Sequence, residues 1–296
     1  MKYTLRQLEV FLAVAHHSNI TRAAESLAMS QSAASGALRD LEAQFDIRLF
    51  DRVGKRLQIN ELGRLLRPKA MALVEQARQL QQDMTRHDGV GELHIGATLT
   101  IGNYLAVNLM ARYMERYPQA KLDLQVANTS AIVSRVANFE LDVGLIEGEV
   151  QHPDLEIIPW LQDELMLFAA PGDPLAGRWP LSDSDLKSAR WIVREQGSGT
   201  RQAFDRALHG LLPDLNIVLE LEQSEAIKRA VAAGLGIGCL SHIALRDEFR
   251  REALVPLRAG GRDFSRQLYL IVNKHKYRSA GISRWLELCQ QLEQED

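Results

Sequence analysis

Apolar residues in the first third of the chain fall at helical steps. Leu8, Phe11, Leu12 and Ala15 share one face of a predicted helix from Thr4 to His16, with Thr4 and Gln7 spaced as a capping box. Thr21 to Glu42 then reads as two short helices around a tight turn at Met29 and Ser30. With Ala34 as reference and about 100° per residue, Leu38, Leu41 and Phe45 fall within about 40° of it and predict a buried stripe. Ser32, Gly36 and Arg39 point the other way. A face of small and hydrogen-bonding groups, in place of the usual Glu and Lys, can come close to a flat polar surface. Small residues at Ala23 and Ala24, with Leu27, suit a steep helix crossing over a short turn. The stretch predicts a helix-turn-helix with Ser30 as N-cap, and Gln31, Ser32 and Ser35 near the start of the second helix, where base edges would be met.

The segment LFDRVGKRLQIN changes to alternation around a turn at Val53, Gly54 and Lys55. Arg52, Lys55 and Arg56 lie at or beside that turn, as in a wing that sets cations against a phosphate backbone or into a minor groove. From Glu61 to about His87 the helical period returns, with Asn60 as a candidate N-cap. Leu62, Leu66, Leu73, Ala77, Leu80 and Met84 form a heptad-like seam longer than a packed bundle needs, which predicts pairing with a second copy. Pro68 removes a backbone donor inside this run and predicts a kink or break near Leu65 to Arg67.

His87 to Gly91 reads as a hinge. Beyond it, strand-like runs (ELHIGA, KLDLQVAN, LDVGLIEG, ELMLFAAP, RWIVRE, NIVLELE, IGCLS, RQLYLIVN) alternate with helical ones. The alternation predicts a mostly parallel sheet covered on both faces and divided into two lobes, with ligands expected where strands end and helices begin.

Charge sharpens this division. The first 88 residues carry 13 Lys and Arg against 10 Asp and Glu, whereas the remainder carries 22 against 28, so only the N-terminal part is basic. No apolar run is long enough to cross a bilayer, and MKYTLRQLEV lacks the apolar core of a signal peptide, so a cytoplasmic location without membrane contact is expected. Cys239 and Cys289 have no close cysteine partner and read as buried structural thiols. Enzyme chemistry finds no constellation: Ser198 lies in GSG rather than GxSxG, HExxH and HxH are absent, and the eight histidines are scattered. No metal cluster or cofactor motif is evident. A transport-type solute-binding protein would fit the back two-thirds but not the winged N-terminus. The remaining alternative is a cytoplasmic small-molecule binding module without regulatory DNA binding.

AAESLAMSQSAASGALRDLE, LFDRVGKRLQINELG, the long helix after it, GLGIGCLS and the overall length resemble the LysR-type transcriptional regulators, over the whole chain. TLTIGNYL, LIEG, PWLQDELMLFAAP, REQGSGTR and QSEAIK are similar to the YeiE-like branch of that family, associated with sulfite and sulfur metabolism. The resemblance implies an α/β protein with an N-terminal winged helix-turn-helix, mainly α, at 1–60. A linker and dimerisation helix follows at 61–88. A two-lobed, periplasmic-binding-protein-like effector domain then occupies 91–296, with lobe I at about 91–162 and 267–296 and lobe II at about 163–266. It also implies double-stranded operator DNA, a homodimer or homotetramer, a small-molecule effector and RNA polymerase as partners. Gln31, Ser32, Ser35 and Arg39 match the family's recognition helix, and Arg52 matches its wing arginine. Many members carry Arg where Gly36 stands and Pro where Ser32 stands, so operator preference does not carry over.

In such a domain the cleft coincides with helix starts rich in hydroxyls. Thr98, Thr100 and Asn103, then Asn128 and Thr129, then Ser198, Gly199, Thr200 and Ser224 are the expected effector ligands. Helix N-termini with free N–H groups favour a small oxyanion or carboxylate, such as sulfite or sulfate. Glu147 is the expected exception, a carboxylate that either accepts a proton from the ligand or neutralises an arginine such as Arg201 or Arg194.

Overall fold

A computed structural model describes residues 2–53, 56–85 and 91–293 of the 296-residue chain. It separates into two compact units, residues 1–89 with 275–279 and residues 90–274 with 280–296. The expected hinge at 87–91 lies, apart from Gly91, outside the described residues, as does Lys55.

The first unit starts with α1 (Leu5–His17), where Thr4 Oγ1 accepts from the Gln7 amide and the Gln7 side chain accepts from the Thr4 amide, closing the capping box. α2 (Ile20–Ser26) is capped by Asn19, whose side chain accepts from the amides of Thr21 and Arg22. α3 (Gln31–Phe45) is capped by Ser30 as expected, through the Ala33 amide at 3.2 Å. Ala23 and Ala24 are buried where the helices meet, and a larger side chain at either would hold the helices apart. Ala34, Leu38 and Leu41 face the same core as Val10, Phe11 and Val14. Phe45 does not: at the helix C-terminus it is 44% exposed and tilts against the Tyr3 ring.

β1 (Phe50–Val53) and β2 (Arg56–Ile59) pair antiparallel, Val53 opposite Arg56, and the Leu57 amide donates to the Ser18 carbonyl to anchor the hairpin. α4 (Glu61–Thr85) begins at Asn60, whose side chain accepts from the Gly63 amide and donates to the Arg48 carbonyl. Gly63 is required there, since a Cβ would sit 2.4 Å from the Leu49 carbonyl oxygen. α4 runs through Pro68 unbroken, contrary to the break foreseen as one outcome. Pro68 is the eighth residue of the helix, past its first turn, so it forgoes one intrahelical hydrogen bond and the helix carries that cost. Ala70 and Val74 bury against the three-helix core, while Leu65, Leu73, Leu80 and Met84 stay exposed.

The second unit contains β3 (Glu92–Ala97), α5 (Leu99–Ile101), a π-helical turn (Gly102–Ala106), α6 (Val107–Arg116), β4 (Lys121–Val126), α7 (Thr129–Ala137), β5 (Val143–Glu147) and β6 (Leu155–Ala169). There follow α8 (Asp183–Ser188), β7 (Arg190–Arg194), α9 (Gly199–Ala207), β8 (Asn216–Leu221), α10 (Ser224–Ala232), β9 (Ile237–Ser241), α11 (His242–Arg250), β10 (Val255–Leu257), β11 (Ser265–Asn273) and α12 (Ala280–Glu293).

Strand order is β4-β3-β5-β11-β6-β9-β7-β8, with β10 on β6. The β3–β4, β3–β5, β7–β8 and β7–β9 pairs are parallel. The pairs of β11 with β5 and β6, and of β6 with β9 and β10, are antiparallel. The sheet is therefore mixed rather than mostly parallel. Two strands return across the middle, a pairing that connects distant segments and leaves no local trace in sequence. β6 pairs β11 over 155–164 and β9 over 165–168, so it belongs to both strand groups, lobe I (β4, β3, β5, β11, β6) and lobe II (β6, β9, β7, β8).

Both faces of each lobe are covered. In lobe I, Ile95, Leu145 and Leu270 pack with Tyr113 and Trp285 on one side, and Ile132, Val136, Ile146 and Ile271 fill the other. In lobe II, Trp191 meets Phe204 edge-on at 5.1 Å while Phe168, Ile227 and Val231 cover the opposite face. Each such aliphatic or phenyl side chain contributes about 1.5–3 kcal/mol of transfer free energy. Cys239 and Cys289 sit inside these cores as free thiols, and burial raises both pKa values, as expected of structural cysteines. Among the described residues no helix is long and apolar enough to cross a membrane, and no cluster could hold a metal ion.

Candidate functional site

In the first unit the outer face of α3 carries Gln31 and Ser32, both exposed, half-buried Ser35, and exposed Arg39. Ser32 Oγ lies 3.0 Å from Ser30 Oγ, and Arg39 Nε donates to the Ser35 carbonyl at 3.4 Å, so the guanidinium lies back along the helix. A Cβ placed on Gly36 would meet nothing within 4 Å. Internal packing thus gives no reason for glycine at the centre of this face. The backbones of Arg52 and Arg56 belong to the antiparallel hairpin.

The second unit holds a denser polar constellation, centred on Glu147 at the end of β5. Thr98 Oγ1 donates to Glu147 Oε1 at 3.0 Å and the Thr100 amide donates to the same oxygen at 2.8 Å. Oε2 accepts from Thr200 Oγ1 at 2.9 Å and from Arg266 Nη1 at 2.8 Å. Arg266, on β11, also donates to Thr200 Oγ1 and, through Nε, to Asp163 Oδ2 at 2.7 Å. Asp163 Oδ1 accepts from Ser241 Oγ at 2.8 Å. Glu147 and Arg266 are each about 1% exposed.

Burial opposes the charged form of Glu147. The Arg266 guanidinium outweighs it, together with the Thr100 hydrogen bond, the more distant charge of Arg194 and the Thr200 hydroxyl, and the carboxyl pKa is held down to about 2. The arginine that neutralises Glu147 is thus Arg266. Arg201 instead bonds Asp205, Glu220 and the Arg194 carbonyl, and Arg194 bonds Glu195.

Beside this carboxylate the two lobes meet closely. Thr129 Oγ1 donates to the Glu147 carbonyl at 2.8 Å and accepts from the Gly199 amide at 3.1 Å. The Ser130 amide donates to the Gly197 carbonyl at 3.2 Å. A Cβ on Gly199 would fall 1.9 Å from the Glu147 carbonyl oxygen, so only glycine lets the start of α9 reach the end of β5. Asn128 caps α7 through the Ala131 amide, and Asn103 is exposed on the π-helical turn.

Ser198 at the N-cap of α9 and Ser224 at the first position of α10 are each 3% exposed, and their hydroxyls have no hydrogen-bond partner. A cleft of about 420 Å³ opens at Ser198, lined also by Thr129, Ser130, Glu149, Gly197 and Gln202.

Of the residues expected to bind an effector, Thr98, Thr100, Thr129, Gly199 and Thr200 are brought together around Glu147. Ser198 and Ser224 retain unused hydroxyls, and Asn103 and Asn128 stand outside the hydrogen-bonded group. Arg266, Asp163 and Ser241 were not anticipated. Their sequence signal is weak, because Asp163 lies in the polar run Gln162-Asp163-Glu164 and Arg266 stands between Ser265 and Gln267, where a charge reads as exposed.

Residues 5–64 match the model of the bacterial regulatory helix-turn-helix protein, lysR family, and residues 86–294 match the LysR substrate binding domain. The HTH-type transcriptional regulator YeiE of Escherichia coli K12 is 45% identical over 289 residues, covering 98% of both chains. The HTH-type transcriptional regulator CysL of Bacillus subtilis is 34% identical over 89% of each chain. The regulatory domain of CcmR from Synechocystis, solved in complex with 2-PG, is 30% identical with a TM-score of 0.64, over 69% of this chain and 97% of that one. A winged helix-turn-helix followed by a two-lobed α/β domain, matched end to end in this way, makes the chain a member of the LysR family of DNA-binding transcriptional regulators and not an enzyme.

Proposed function

We propose that this regulator reads an operator with Gln31, Ser32, Ser35 and Arg39 of α3, and holds the phosphate backbone or minor groove with Arg52 and Arg56 of the hairpin and with Lys55. The cleft of the second unit takes a small anionic effector, a sulfite- or sulfate-like oxyanion. Ligand occupancy biases lobe closure, and through it the geometry of a cytoplasmic homotetramer on paired half-sites, with RNA polymerase as the downstream partner.

The observation that carries the effector reading is the buried, unpartnered hydroxyl of Ser198 at the cleft, with a second such hydroxyl at Ser224 on α10. Each sits at the start of a nine-residue helix, where unpaired N–H groups and the helix dipole favour negative charge. A buried hydroxyl without a partner costs free energy that a ligand oxygen would recover. Glu147 offers less repulsion to such a ligand than its charge implies, because Arg266, which it shares with Asp163, offsets part of that charge. The similar CcmR regulatory domain, solved with 2-PG, supports a small-molecule occupant.

Calorimetric titration of the full chain with sodium sulfite, sodium sulfate, phosphate and a panel of amino acids tests the reading. Saturable binding of an oxyanion, weakened at least tenfold by Ser198→Ala with Ser224→Ala, is expected. Binding confined to a cationic or aromatic compound would reject it.

A further inference from the structure

Away from Glu147, a second group of polar side chains joins the lobes. Tyr104, on the π-helical turn of lobe I, donates its phenol hydroxyl to Glu225 Oε1 at 3.1 Å and accepts from Lys228 Nζ at 3.3 Å. A phenol can do both at once. Glu225 and Lys228 belong to α10 of lobe II, and the ammonium also lies 5.9 Å from the Tyr104 ring centroid. Lys228 is 6% exposed, and donates further to Glu248 Oε1 at 2.7 Å and to the Ala244 carbonyl, both on α11.

The partners divide unevenly between the lobes. Glu225, Glu248 and the Ala244 carbonyl all travel with lobe II, so if the lobes part, Lys228 keeps three of its contacts and loses only Tyr104. Tyr104 is half-buried and the Glu225 side chain is 59% exposed, which leaves water ready to replace the broken bonds. A contact anchored firmly on one side and weakly on the other can open and reclose at low cost. The π-helical turn, a feature often found at functional positions, supplies the residue on the weak side. Ser224, with its unused hydroxyl, precedes Glu225 and lies one turn from Lys228 on the buried face of α10.

We infer that Tyr104, Glu225 and Lys228 form a releasable latch between the lobes, which sets how often the cleft opens and how fast a bound small anion leaves. The consequence for release rests on the effector role proposed for the cleft. The consequence for lobe opening stands without it. Tyr104→Phe keeps the ring and its packing but removes both hydroxyl hydrogen bonds. With water able to take over both bonds once the lobes part, their net worth is about that of one buried hydrogen bond, and the closed population should fall about fivefold relative to the open one.

The test is a pulsed electron-spin distance measurement on the full chain, with labels at Glu140→Cys in lobe I and Lys187→Cys in lobe II. Labelled chains are diluted with unlabelled ones, and the two native thiols are shielded by burial. Wild type should give one narrow distance, and Tyr104→Phe a second, altered population; Glu225→Gln, which keeps an acceptor, should lie between. Stopped-flow dissociation with sodium sulfite should then be about fivefold faster in Tyr104→Phe. An unchanged distance distribution in both variants would overturn the latch. Failure of wild type to bind sulfite or sulfate, with the distances shifted as expected, would overturn the effector assignment and leave the latch supported.

Discussion

Arg266 on β11 and Glu147 on β5 form an ion pair at 2.8 Å in which neither side chain reaches water, although 119 residues separate them in sequence. Arg266 is shared with Asp163, so its removal would leave two buried carboxylates without their cation. Removing one partner of such a pair strands the other and typically costs about 3–5 kcal/mol. Arg266→Met should therefore destabilise the second unit by that order, whereas the double variant Arg266→Met with Glu147→Gln should recover part of the loss. Denaturant titration of the singles and the double measures the coupling.

The same pair fixes a pH dependence. The folded pKa of Glu147, about 2, lies below its ordinary value of 4.5, so the group contributes stability that is fully present above pH 4.5 and is lost as pH falls through 2. The contribution is on the order of 3 kcal/mol. Between pH 4.5 and 2, Glu147→Gln should flatten the acid limb of the stability curve relative to wild type. Parallel limbs for the two proteins would mean that the carboxylate titrates normally in the fold.

Two glycines give opposite expectations for the same substitution. Gly199→Ala would drive a methyl into the Glu147 carbonyl, so the start of α9 must back away, and a loss of about 1–3 kcal/mol with weakened effector binding is expected. Gly36→Ala meets open space on a helix and should stabilise the first unit by about 0.5–1 kcal/mol. If the glycine is there to let DNA approach, operator affinity should fall even as the melting temperature rises. Gel shifts and thermal melts on the same preparation separate these effects. A more stable variant with undiminished affinity would remove the argument for close approach at Gly36.

Some of this molecule can be read directly from its residues. Thr4 with Gln7, and Ser30 before an apolar stripe, mark helix starts because capping acts within a single turn. Phe45 has the right periodicity for the core and still ends outside it, because the helix ends there and the ring turns to Tyr3 instead. Glu147 could be singled out as a charge in an apolar strand, but its partner could not be named. β11 enters the sheet between β5 and β6 from the far end of the chain, and pairing at that distance is decided by the assembled sheet. Arg201 and Arg194 were nearer in sequence to the expected site, and each has a local carboxylate instead.

On the DNA side, different side chains should fail in different ways. Arg52→Ala, at the hairpin, should weaken all sequences nearly alike and reduce the slope of log affinity against log salt by about 1. Gln31→Ala or Ser35→Ala should instead relax discrimination between the operator and single-base variants, by about 1–3 kcal/mol at one position if a base contact is lost. Fluorescence anisotropy over a salt series with both DNA classes distinguishes them. A salt slope unchanged by Arg52→Ala would place the wing away from phosphate.

The exposed row on α4 carries the prediction about assembly. Leu65 is 64% exposed, Leu73 41%, Leu80 56% and Met84 71%, on a helix whose other apolar row, including Ala70 and Val74, is buried in its own unit. A helix with two apolar rows and core for only one of them leaves the second for another chain, and Leu73, Leu80 and Met84, seven and four residues apart, fit a paired seam. Leu73→Glu with Leu80→Glu would place like charges along that seam and should shift the protein toward monomer in sedimentation, while the fold of each unit persists by circular dichroism. Since two helix-turn-helix motifs must act together on a paired site, the monomeric variant should bind a full operator little better than a half-site. Retention of dimer by the double variant would locate the association elsewhere, and the exposed leucines would then need another partner.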